Sequence, residues 1–190
     1  MSGDNTDGTD LRAAIADSGE ALARAAENLR RQPDSDALGA LLPAAMCHQR
    51  LLCAAGAYAQ AFATGIMALL TLFRTGRYVP DNDAAAYLET LLLTGVAASA
   101  AAQQAPDAFA AEHYAAIDAE LGPLMLASYK ALAPKASLPP HIAQPLAMLE
   151  QWVDPAATFQ GRPVAATMAV DILYDIASRL AALGLIAPAE

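Results

Sequence analysis

The chain of 190 residues is long enough for one domain with a substantial core, and no shift in composition marks a second domain. Its net charge of −9, with the eleven basic residues dispersed, excludes a nucleic-acid surface, which needs clustered lysine and arginine, and disfavours anionic membranes. Hydrophobic residues make up 56%, but 49 residues are alanine, so the composition argues for helix more than for an oily interior.

The opening MSGDNTDGTD is polar and acidic, without the basic or apolar regions of a signal peptide. Residues 1–8 read as a flexible acidic tail ahead of a helical domain over 9–190. A first helix is expected from an N-cap at Thr9 to about Arg31, with Leu11, Ile15, Ser18, Leu22, Ala25 and Leu29 on one face. Glu20 with Arg24, and Glu27 with Arg31, suit the opposite, wet face.

A second helical region is expected from Asp36 to Arg74, broken or kinked near its start by Gly39 and Pro43, with 43–74 as the central helix. A third runs from a cap at Asp81 or Asp83 to about Gln104. A fourth starts at Pro106-Asp107 and stops at Gly122-Pro123, and a short fifth ends before Pro134. Another spans Pro140 to Trp152, and the last spans Pro163 to Gly184. No valine-, isoleucine- or threonine-rich run suggests a strand. Short connections favour antiparallel neighbours. The expected fold is a single all-α domain, a bundle of six to eight helices around a central apolar helix.

Residues 53–73, CAAGAYAQAFATGIMALLTLF, carry no charge and are long enough to cross a bilayer. Alanine dominates them and Gln60 sits mid-way, whereas insertion is driven by leucine, isoleucine, phenylalanine and valine. Enclosure by protein is therefore expected rather than a membrane span. On one continuous helix Gln49, Cys53, Gly56, Gln60, Thr64, Met67, Thr71 and Arg74 fall along a single seam. Tyr58, Phe62, Leu69 and Phe73 take the far side, and Ala57, Ala61 and Gly65 form a line of small residues open to a close neighbour. Buried amides and hydroxyls need partners. Gln49, Cys53, Gln60, Thr64, Arg74 and His48 are thus the candidate ligand-binding set. Bonding of the same groups to backbone or to neighbouring helices is the structural alternative.

His48 falls toward Ala55 and Phe62, as a core histidine would. Cys47, His48 and Cys53 lack metal-ligand spacing on a helix, and no HxxxH or ExxH signature is present, so neither metal nor cofactor is expected. Cys47 and Cys53 point apart on one helix, which leaves two reduced thiols and suits a cytoplasmic location. Asp171, Tyr174, Asp175 and Ser178 share a face of the last helix. It reads as a solvated face with an Asp175–Arg179 pair, or as half of a Mg²⁺ site lacking its second acidic cluster. His113 is expected in a packed face with Phe109, Ile117 and Leu121.

No nucleophile or phosphate-loop pattern occurs, so whether the chain is an enzyme is left open. Two functions fit. One is an assembly or accessory protein, binding itself or another subunit through small-residue apolar faces, for example within a bacterial metabolic enzyme. The other is a small-molecule-binding protein or helical enzyme acting on a mostly apolar metabolite along the Gln49–Arg74 seam.

Overall fold

The computed structural model describes residues 6–187, with side chains described from Thr9 onward. The chain is a single all-α bundle. Seven α-helices are present among the described residues: α1 (Thr6–Arg31), α2 (Ser35–Ala54), α3 (Tyr58–Arg74), α4 (Ala84–Gln103), α5 (Ala108–Leu132), α6 (Pro140–Met148) and α7 (Ala169–Ala182). A two-residue antiparallel hairpin, β1 (Thr158–Phe159) with β2 (Arg162–Pro163), precedes α7.

The expected central helix over 43–74 is in fact two helices, α2 and α3, folded back on each other. Gly56 takes φ 74°, the left-handed conformation that glycine adopts most cheaply. Ala57 N–H donates to Leu52 O at 2.9 Å and Gly56 N–H to Cys53 O at 3.0 Å, the paired bonds of a Schellman C-cap. These bonds satisfy the last carbonyls of α2 while reversing the chain. The central helix is α3 alone, packed between α2, α4 and α7, and nine of its residues, from Ala61 to Leu72, are buried. The uncharged run 53–73 is therefore divided by a turn. Ser35–Ala54 and Pro80–Gln103 are long and apolar enough to cross a membrane by length and composition, and in the bundle both pack against several other helices.

Other boundaries also differ from expectation. Helical backbone starts at Thr6, so Thr9 lies inside α1 rather than capping it; of the expected 1–8 tail, residues 1–5 lie outside the described residues. Gly39 and Pro43 are absorbed within a continuous α2, whose N-cap Asp34 accepts from Ala37 N–H at 2.9 Å. α5 passes through Gly122-Pro123 without stopping. Leu121, Leu124, Met125 and Leu126 are all buried around that point, and their packing outweighs the missing proline N–H. α7 starts at Ala169 rather than Pro163, because the hairpin and a 3-10 turn (Ala166–Met168) occupy the interval.

Three helices meet at one polar node. Gln49 of α2 is fully buried at 0% exposure, and its Nε2 donates to Ala61 O of α3 and to Thr94 Oγ1 of α4, each at 3.1 Å. Thr94 Oγ1 in turn donates to Thr90 O at 2.6 Å. Both groups facing the amide nitrogen are acceptors, which settles the amide's orientation and leaves Gln49 Oε1 buried without a partner among the described residues. Gly65 lies beneath this node, where a Cβ would overlap Thr94 Oγ1 and Gln49 Nε2. Of the expected line Ala57, Ala61 and Gly65, Gly65 is where α4 comes close. Gly65→Ala is expected to destabilise the protein by about 2 kcal/mol or more, through overpacking and broken buried hydrogen bonds. The shift in urea midpoint measures this, and the same substitution in a Thr94→Ala background should cost less, since one obstruction is gone.

Candidate functional site

α1 lies along α2 and leaves a groove between itself and α3. Towards the C-terminal ends of α1 and α3 the groove widens into a depression of about 520 Å³, lined among others by Ala26, Glu27, Arg30, Thr71 and Arg74. A second depression of about 310 Å³ continues it, lined by Leu22, Ala26, Ala63, Met67 and Thr71, with Leu185 and Ile186 from the segment after α7. Ala26 and Thr71 border both depressions, so they form one channel. From Ala63 of α3 to Thr75, the residue that follows the helix, it runs about 18 Å, at 1.5 Å per helical residue. Its floor is apolar, including the buried Leu41 of α2. The three hydroxyls along it are all occupied: Thr64 Oγ1 donates to Gln60 O at 2.9 Å, Thr71 Oγ1 to Met67 O at 2.7 Å and Thr75 Oγ1 to Leu72 O at 2.7 Å.

The Gly56 turn splits the sequence-derived seam. Thr64, Met67, Thr71 and Arg74 line the groove together. Gln60 is exposed, one turn before it, while Cys53 is half-buried on α2 beside the turn. Gln49 faces the node with Thr94, away from the groove lining.

His48 lies at the α1–α2 contact, not toward Ala55 and Phe62. Ser18 Oγ donates to Ile15 O at 3.0 Å, which uses its one proton, so at 2.8 Å it accepts from His48 Nδ1–H. The ring packs on Gly19, where a Cβ would meet Cε1 at 3.3 Å. A serine activated for attack must donate to its base. Here the histidine donates to the serine, and the pair ties two helices together. Burial holds the imidazole below its ordinary pKa.

On α7, Asp171, Tyr174 and Ser178 are exposed. Arg179 bridges Asp175, Nε to Oδ2 at 2.9 Å, and Glu120 of α5, Nη2 to Oε1 at 3.1 Å. Burial, together with the neighbouring Asp175, pushes the Glu120 carboxyl up from its ordinary value. Sequence reasoning saw the Asp175–Arg179 pair and missed Glu120, which another helix supplies. No three histidine, cysteine or acidic side chains converge to hold a metal ion among the described residues. His113 is half-buried with its ring 4.2 Å from that of Phe109, but Phe109 is largely exposed rather than packed inward.

The groove's mouth was also hidden from a linear reading. Arg74 Nε donates to Tyr174 OH at 3.0 Å, with the guanidinium carbon 5.4 Å from that ring's centroid. A hundred residues of sequence separate the two. Comparison with protein-family models, curated proteins and solved structures finds no match.

Because the folded value of His48 lies below its ordinary one, its contribution to stability is fully present above about pH 6.5 and is lost as the pH falls through the folded value. Thermal unfolding midpoints recorded between about pH 7.5 and about pH 5 should therefore fall less steeply in His48→Gln than in the parent.

Proposed function

We propose that the protein binds an elongated, mostly apolar small molecule in the groove between α1 and α3. The supporting observation is the continuity of that groove. Two depressions share Ala26 and Thr71, their walls are methyl-rich, and their combined size lies in the range of small-molecule sites. Phe62, Leu69, Tyr87, Leu91 and Ile117 are each at most 1% exposed within one chain, so a core is buried by the chain's own helices. This puts ligand binding ahead of obligate assembly. The free thiols of Cys47 and Cys53 suit a reducing, cytoplasmic setting.

Ala26→Phe should fill the groove where its two halves meet. Native mass spectra of protein purified from its own cells without detergent should show a small-molecule adduct that the variant lacks, with both proteins equally helical by circular dichroism. A parent that carries no adduct and binds no apolar fluorophore would overturn the reading.

Self-association is a second reading, favoured by the 79% exposure of Trp152 and the 54% exposure of Met148, which flank the 3-10 turn after α6. Large apolar side chains left this exposed are candidates for a surface that a second copy would cover. The same spectra should then contain a dimer that Trp152→Ser abolishes.

A further inference from the structure

We infer that the groove's ligand is an amphiphile with an anionic end, a carboxylate or phosphate, held by Arg74. This rests on the groove reading above. Arg74 is exposed and lines the wide end of the apolar channel. No carboxylate pairs with it among the described residues. Tyr174 takes the Nε–H and supports the guanidinium plane, so the side chain is held while its two terminal nitrogens keep their donors free. Two parallel donors in a fixed fork match a carboxylate or phosphate better than any neutral head group.

The surroundings strengthen the charge. Arg30 and Glu27 line the same mouth; Arg30 and Arg31 both bond to the single carboxylate of Glu27, at 2.5 and 2.6 Å, and Arg77 Nη1 donates at 2.9 Å to the carbonyl of Pro33, another residue of that lining. The charged side chains lining this mouth are thus two arginines, Arg30 and Arg74, and one carboxylate, Glu27, in a chain whose net charge is −9. Neutralising helix ends accounts for some of the arginines, but not for one held by a tyrosine at the end of an apolar channel. The acidity of the rest of the molecule opposes docking on an anionic bilayer. The ligand is therefore a free amphiphile rather than a lipid in a membrane.

Titration calorimetry of the full chain with dodecanoate, dodecyl phosphate, dodecanol and dodecyltrimethylammonium, below micelle-forming concentrations, tests this. The two anions should bind about tenfold or more tighter than the alcohol and the cation, as expected for a charge-assisted pair. Arg74→Gln should bring the anions to the level of dodecanol without changing dodecanol itself, and Arg74→Lys should keep part of the preference. Equal binding of alcohol and carboxylate, or an Arg74→Gln variant that keeps the preference, overturns the anionic end and leaves the groove reading standing. No binding of any probe, or binding that Ala26→Phe does not weaken, overturns both. Sedimentation with phosphatidylglycerol vesicles in the absence of monomer binding would place the head group on a membrane and overturn the inference.

Discussion

The bundle turns on the burial of one amide. Gln49 sits where α2, α3 and α4 meet, and its nitrogen holds a carbonyl of one helix and a hydroxyl of another. Removing an amide from water costs on the order of a few kcal/mol unless its bonds are replaced. Only Nε2 recovers them, while Oε1 stays unpaired. The arrangement is tolerable because Gly65 lets the helices approach closely enough for the two bonds to form and for the surrounding leucines to pack. A larger residue there would separate α3 from α4 and unpair the nitrogen as well. The register of the three helices thus follows from a polar contact and a missing side chain, while the apolar core supplies the bulk of the stabilisation.

That register determines where the groove lies. α2, α4 and α7 pack against α3, whereas α1 packs on α2 and leaves one strip of α3 uncovered. The Ser18–His48 bond helps to hold α1 on the α2 side. The uncovered strip of α3 then becomes one wall of the channel, and its last turn brings Arg74 within reach of α7. A helix apolar nearly all round would ordinarily be enclosed completely. Here one strip is left to α1's small residues, Ala23 and Ala26, which are too short to fill the gap.

The helical class was legible from alanine content and from the amphipathic spacing of the first and last helices. The polar positions on α3 that matter to the groove, Thr64, Thr71 and Arg74, were legible from the 3.6-residue period, because that period holds within one helix. What failed was the extension of the same line back to Gln49 and Cys53. Ala54-Ala55-Gly56-Ala57 lacks the polar and proline residues that usually announce a turn, and alanine on either side of the glycine reads as helix. Gly184, whose N–H donates to Ala181 O while that of Leu185 donates to Leu180 O, was recognisable because the helical pattern ended there. Pro123 erred in the opposite direction, a local stop signal overridden by the leucines packed around it. Glu120 with Arg179, and Tyr174 with Arg74, are joined only by the fold, and nothing in their local sequence announces them.

The position of Trp152 has a practical corollary. It is the chain's one tryptophan, and it stands in solvent after α6 instead of inside the bundle. Its indole already has a largely aqueous environment in the native state, so its emission carries little information about whether the interior is intact. The same property makes it a quiet background against which a contact at that corner of the molecule would register as a blue shift. The fluorophore reports on the outside of this protein, and the melting of its core has to be followed through the backbone.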